Sequence, residues 1–229
     1  MQLPLFQETY EPDADALARC LQAQTVALDI ETDTRWPGRG PRQDYGLSYQ
    51  ADITVIALAW QEDSVLNTTV LAAPFGPEIR TFLVSLFAPH RLIIAHNAVF
   101  DLRQLSKLTG GLVPERIWDT QSIARLIHPA VDLRYNLLSV AAALGIAYPD
   151  RQQAMKSQRG KLHMLPLPVA MEYAQDDARL SLQIYLAQRE LDCSPELIDW
   201  ECRALREYSQ MAATGIRLNI PFVESQLAG

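Results

Sequence analysis

Cysteine is scarce: Cys20, Cys193 and Cys202 are all that 229 residues contain. They are widely spaced and odd in number, which excludes a disulfide framework and gives no metal-binding spacing; they fit a reducing compartment and read as core or surface fillers. No apolar run reaches the roughly 18 residues needed to cross a bilayer, so no membrane partner is expected. The opening MQLPLFQETY lacks a basic start and an apolar signal core. A cytoplasmic rather than secreted protein is therefore expected. A basic surplus is missing too. Twenty Lys and Arg stand against 27 Asp and Glu, a net charge of −7, which argues against a domain that holds nucleic acid by its own charge. Internal repeats and low-complexity segments are absent.

What is present is an ordinary globular composition, 48% hydrophobic and 21% charged. The length suits one large domain, or one domain with an appendage. Two acid-free basic segments stand out against the negative balance. One carries Arg35, Arg39 and Arg42; the other carries Arg151, Lys156, Arg159 and Lys161. A run of charge is commonly a solvated loop, and both segments also suit phosphate contacts.

Pro12-Asp13 before ADALARCL reads as a capped helix. TVALDI is a strand, and residues 35–51 are a loop rich in Gly, Pro and Arg. ITVIALAW (53–60) and VLNTTV (65–70) are strands joined by a short polar turn, hence antiparallel. Residues 77–88 form a helix with Pro77 in its first turn. RLIIAH is a short apolar strand, followed by a helix from NAVFD to paired glycines, and ERIWDT is a short extended piece. SIARLIH, YNLLSVAAALG and residues 168–191 are helical. Strands that open as a hairpin and then alternate with helices predict an α/β domain, a mixed sheet flanked by helices. PELIDWECRALREYSQMAATG is a long helix closed by a glycine, IRLNI is strand-like, and PFVESQLAG begins a further helix. An unfinished helix suggests a piece of something longer.

Three pairs of residues carry the chemistry. Asp29 and Glu31 lie at i and i+2 of a strand and share one face, opposite Val26, Leu28 and Ile30. Two close carboxylates repel unless a cation neutralises them, and a hard divalent ion with oxygen ligands would do so. The plainer reading is a polar, solvated strand face. Asn97 and Asp101, in HNAVFD, lie at i and i+4 of a helix that leaves the C-terminal end of a strand, where α/β sites commonly sit. The plainer reading makes Asn97 an N-cap, Asp101 a surface acid and His96 a packing residue. Tyr173 and Asp177, in YAQDD, again share a helix face, with Asp176 as a competitor; the plainer reading is an amphipathic helix.

Taken together, ALDIET (27–32), HNAVFD (96–101) and YAQDD (173–177) resemble the DEDDy 3′–5′ exonucleases of the DnaQ-like, RNase H-like superfamily. The order D-x-E, N-x2-[FY]-D, Y-x3-D is the family's, and the resemblance covers about residues 20–190. WECRALREYSQMAATGIRLNI (200–220) resembles the segment that follows the proofreading domain in family A DNA polymerases.

These resemblances imply an RNase H-like mixed sheet with a C-terminal helical extension. They imply an exonuclease domain over residues 1–192 and, over 193–229, the truncated start of a polymerase-like region, with no room for a 5′-nuclease domain. They imply a metal-dependent 3′–5′ exodeoxyribonuclease that acts on single-stranded or frayed DNA 3′ ends with two divalent ions, Mg²⁺ or Mn²⁺. Asp29 would bridge the ions, Glu31 and Asp177 would complete one site, and Asp101 would hold the other ion through water. Tyr173 would orient the attacking water with Glu31. Asn97, the backbone at Thr32 and Phe100, where the family often has Tyr, would meet the terminal nucleotide. Asp119, in IWDT, resembles a frequent family position; it reads as an N-cap before SIARL, with a role in supporting the site from behind as the lesser alternative. The polymerase domain would be a partner in cis or in trans. Two alternatives stand beside this: an RNase D-type exoribonuclease, which shares the three motifs, and a catalytically silent DNA-binding or scaffold domain.

Overall fold

Along β1 (Thr25–Asp33), Val26, Leu28 and Ile30 alternate with Ala27, Asp29 and Glu31, and the two-residue period sorts them onto opposite faces of a sheet. That sheet is the centre of the computed structural model, which describes residues 10–33, 52–129, 134–150, 165–215 and 219–227. The basic segments around Arg35 and Arg151 lie outside the described residues. Five strands lie in the order β3-β2-β1-β4-β5. The others are β2 (Asp52–Glu62), β3 (Val65–Ala72), β4 (Leu92–Ala95) and β5 (Arg116–Asp119). β2 is antiparallel to both β1 and β3, whereas β4 is parallel to β1 and to β5. The sheet is thus mixed, as expected. The β2–β3 connection narrows to Asp63 and Ser64, both at positive φ, the conformation that a tight two-residue hairpin demands.

Eight helices accompany the sheet among the described residues. α1 (Ala14–Gln22), α2 (Glu78–Leu86) and α3 (Ala98–Thr109) cover the face that carries Val26, Leu28 and Ile30. Cys20, Leu83, Leu86, Leu102 and Leu105 are buried in that layer. α4 (Thr120–Ile127) and α5 (Leu137–Ala143) pack on the outer side of α6 (Leu167–Gln188) through Leu138, Ala141, Leu180 and Ile184. The inner side of α6 lies on the face that carries Ala27 and the two acids. There Ala27, Ala57 and Ala59 of the sheet meet Ala174 and Ala178 of the helix. Small side chains on both surfaces allow close approach, and this brings the polar residues of α6 down onto β1.

Arg91 is buried, at 3% exposure, in front of β4. Its guanidinium donates to the carbonyl oxygens of Ala23, Ser85 and Leu86 at 2.8, 2.6 and 2.8 Å, and also to Leu21. One cation thereby satisfies the C-terminal ends of α1 and α2, where unpaired carbonyls and the helix dipole favour positive charge.

α7 (Pro195–Thr214) packs on α3 and β5 and buries Leu205 and Ser209. Gly215 closes it at φ 69°, its N–H donating to the Met211 carbonyl. The strand expected at IRLNI is corrected at its end. Residues 216–218 lie outside the described residues, and Ile220 opens α8 (Ile220–Leu227). The Asn219 side chain accepts from the Phe222 N–H at 3.2 Å and Pro221 sits in the first turn, two helix-start features that override the β-branched appearance of the run.

Candidate active site

The two faces of β1 meet different fates. Leu28 and Ile30 are closed into the core, whereas Asp29 and Glu31 stay partly exposed beside the middle of α6. Asp29 stands opposite Ala57 and Glu31 opposite Val55 on β2. Those short apolar partners leave room for Asp177 from the helix above. Carboxylate oxygens of Asp29, Glu31 and Asp177 all lie within 4.8 Å of one another. The pairing of β1 with β2 shifts register between Glu31 and Thr32, and the Thr54 hydroxyl donates to the Glu31 carbonyl at 3.1 Å.

Asp101 arrives from the other layer. It sits one turn into α3, is 4% exposed, and its Oδ1 accepts the Ile30 N–H at 3.3 Å. Burial pushes its carboxyl well above the usual range; the Ile30 N–H pulls the other way, and the negative charges of Asp119 and Asp177 push further up. Tyr173, one turn before Asp177 on α6, is also buried.

All five of these residues line one cavity of about 370 Å³. Phe100, Asn97 and His96 line its α3 side, and Gln121, Asn136 and Leu137 its far wall. Phe100 also packs on the core behind it. Thr32, past the register shift, is not among the described lining residues, and neither is Asp176, the neighbour that competed with Asp177. Both nitrogens of His96 are engaged, Nδ1 with the Thr120 hydroxyl at 2.9 Å and Nε2 with the Tyr135 carbonyl at 3.1 Å. This matches a packing role at the strand end rather than a ligand.

Asn97 departs from the plainer reading. It occupies the N-cap position of α3, yet its side chain makes no capping bond and its backbone is left-handed, φ 70° and ψ 49°. The cap comes instead from Asp119. Its Oδ1 accepts the Asn97 N–H at 2.9 Å and its Oδ2 the Ala98 N–H at 3.2 Å. The same carboxylate caps α4, as expected, by accepting the Gln121 N–H at 2.9 Å. Burial raises the Asp119 carboxyl above its ordinary value, while these N–H groups and that of Ser122 hold the rise back. Asn136 was missed by sequence reasoning; its side chain caps α5 by accepting the Ser139 N–H, so the N-x-x-S spacing was the available signal. Gln121 carried no such signal.

The donor set suits a metal. Three carboxylates from a strand and a helix converge with a fourth close behind, all hard oxygen ligands of the kind Mg²⁺ and Mn²⁺ prefer. Like charges so close favour a divalent counter-ion. Among the described residues this is the one such acidic group.

A family model described as 3′–5′ exonuclease matches residues 7–191. No curated protein matches the chain by sequence. Several solved structures resemble its fold. RNase D of Trypanosoma brucei in complex with RNA U12 aligns at 18% identity with a TM-score of 0.64, over 89% of this chain and 68% of that one. The catalytic core of RRP6 from Trypanosoma brucei aligns at 16% identity and 0.59, over 94% and 54%. NrnC of Brucella melitensis bound to pGG aligns at 18% and 0.55, over 85% and 83%. At these identities the likeness shows the shared fold.

Proposed function

Because this chain belongs to the 3′–5′ exonuclease family, we propose that it removes nucleotides one at a time from single-stranded or frayed DNA 3′ ends. The observation that carries this reading is the convergence of Asp29, Glu31 and Asp177 within 4.8 Å, in the cavity that Asp101 and Tyr173 also line. These four acids would hold two divalent ions, Mg²⁺ or Mn²⁺. Such ions, when bound, supply activation of the attacking water and neutralisation of charge on the phosphate. In the reaction, oxygen of water bonds to phosphorus, the bond from phosphorus to the 3′ oxygen of the preceding nucleotide breaks, and that oxygen takes up a proton.

Tyr173 and Glu31 orient the attacking water. A phenol titrates near 10, so Tyr173 serves by direction rather than as a base at neutral pH. Asn97 and the backbone near Thr32 position the terminal nucleotide, and Phe100 packs against it. Binding of a single strand rests on stacking and phosphate contacts rather than on base reading. With a net charge of −7, binding by the isolated chain should be weak and salt-sensitive. The resemblance of residues 200–220 to the segment after a proofreading domain supports a polymerase as the partner that holds the DNA, in cis or in trans.

A second reading has its own support: RNase D and RRP6 appear among the similar folds, so an RNA 3′ end is the alternative substrate. One experiment addresses both readings. Single-stranded DNA and RNA labelled at either end are incubated with Mg²⁺, Mn²⁺ or EDTA, beside Asp29→Ala. A ladder shortening from the 3′ end, lost in EDTA and in the variant, is expected, with DNA degraded faster. Faster RNA degradation would move the assignment to the exoribonuclease. No cleavage by folded protein would overturn both and leave the silent domain.

A further inference from the structure

Asn97 raises a question that its motif does not answer. Asparagine is among the best N-cap residues, it stands at the N-cap of α3, and its side chain does not cap. Its backbone is left-handed instead, a conformation that asparagine adopts more readily than other non-glycine residues but that still costs more than the ordinary extended N-cap, so surroundings that favour it matter. The favouring group is visible. Asp119, at the end of β5 and 2% exposed, reaches across to α3 and takes the Asn97 and Ala98 N–H groups on its two oxygens, at 2.9 and 3.2 Å. It also holds the Gln121 N–H at the start of α4. One carboxylate thus caps two helices, each of which presents a positive dipole end to it.

We propose that Asp119 is a positioning residue, which caps α3 in place of Asn97 so that the Asn97 amide is turned into the cavity toward the substrate 3′ end. The identity of that substrate rests on the exonuclease reading; the link between Asp119 and the Asn97 backbone stands without it. Two donors one residue apart, the Asn97 and Ala98 N–H groups, meet the two oxygens of one carboxylate while Asn97 holds its left-handed backbone. Loss of the Asp119 charge would return Asn97 to the ordinary N-cap conformation, its amide folded back onto α3 and withdrawn from the cavity that it now lines. Asp101, one turn further along the same helix, would keep its bond to β1, so metal binding is retained.

The test combines kinetics with a conformational readout. KM and kcat for a single-stranded 3′ end are measured for the wild type, Asp119→Asn, Asn97→Ala and the double variant. Either single change is expected to raise KM about tenfold, the loss of one hydrogen bond to a charged group, with kcat changed much less. The double variant should be no worse than either single one. Additive effects, or an unchanged KM in Asp119→Asn beside a raised one in Asn97→Ala, would overturn the proposal. In parallel, the intraresidue amide-to-Hα NOE of residue 97, strong where φ is positive because the two protons then lie close, reports the sign of its φ by NMR. A positive φ in the wild type, lost in Asp119→Asn, is expected even if the wild type proves inactive; a positive φ retained in the variant would sink the idea. Should Asp119→Asn fail to fold, Asn97→Gly replaces it, since glycine accepts positive φ. That variant should raise KM as Asn97→Ala does but keep a higher Tm than it, and equal Tm values would count against a left-handed backbone at this position.

Discussion

The Ile30 N–H donates to Oδ1 of Asp101 at 3.3 Å, across 71 residues of sequence. The bond ties the strand that carries Asp29 and Glu31 to the helix that carries the fourth carboxylate. It also holds Asp101 where burial disfavours its charge. Because the folded carboxyl titrates well above its usual value, the fold binds this proton more tightly than the unfolded chain does. Its contribution to metal-free stability is therefore complete below about pH 4, the ordinary carboxylate range, and is lost as pH rises through the folded value. Asp101→Asn keeps the acceptor and removes the titration. In EDTA, the variant should be more stable than the wild type by roughly 1–3 kcal/mol at pH 8, and the gap should close toward pH 4. Urea unfolding across pH checks this; a gap that does not vary with pH would contradict it. Activity should be lost in the same variant.

Tyr173→Phe keeps the buried ring and removes only the hydroxyl. If that hydroxyl directs the attacking water, kcat should fall about 10²-fold, the low end for losing a positioned proton-handling group. Divalent-ion affinity, read by calorimetry, should be unchanged. A variant with wild-type kcat would leave Tyr173 with a packing role alone.

Ala178 is fully buried between α6 and the sheet, next to Asp177. Ala178→Leu adds volume where alanines of the helix face alanines of the sheet. It should cost about 1–3 kcal/mol of stability, and lifting α6 should separate Asp177 from Asp29 and Glu31. Activity should then fall at temperatures where unfolding curves show the variant fully folded. A folded variant with full activity would show that α6 need not lie so close.

Arg91→Met leaves four carbonyl groups at two helix ends without their donor. The expected loss is on the order of 3–5 kcal/mol, measured by denaturant unfolding, with kcat of the remaining folded protein unchanged. A loss below about 1 kcal/mol would mean that water replaces the guanidinium.

Burial pushes the Cys20 thiol up to about 12, and burial with the nearby negative charges of Asp119, Glu201 and Asp199 pushes Cys202 up to about 12. Since only the thiolate reacts, iodoacetamide at pH 8 should spare both until denaturant is added. Mass mapping of the labelled peptides gives the answer; rapid labelling of either in the native protein would contradict the raised thiol values.

The elements were largely readable from local pattern. The hairpin, the short apolar β4 and the long α6 follow from periodicity and turn chemistry, and Asp13 and Asp119 cap the helices that their positions suggested. Ile220 was misread because a β-branched run looks like a strand unless its flanking Asn and Pro are weighed. At the site, spacing within each motif placed Asp29 with Glu31 on one strand face and Tyr173 with Asp177 on one helix face. The role of Asn97 was not readable: its cap is supplied by a residue 22 positions away, and an i-to-i+3 rule has no access to that distance.

By itself, then, the sequence determined which side chains share a face, because strand and helix periods are properties of the local backbone. It also determined membership in a nuclease family, through three ordered motifs. Tertiary structure alone decided that β1, α3 and α6 bring their acids to one cavity. That depends on strand order, on the alanine contact that seats α6, and on the bond from Ile30 to Asp101, all of which are long-range. It alone decided which carboxylate is buried enough to resist ionisation, because burial belongs to the assembled fold and not to any residue in the chain.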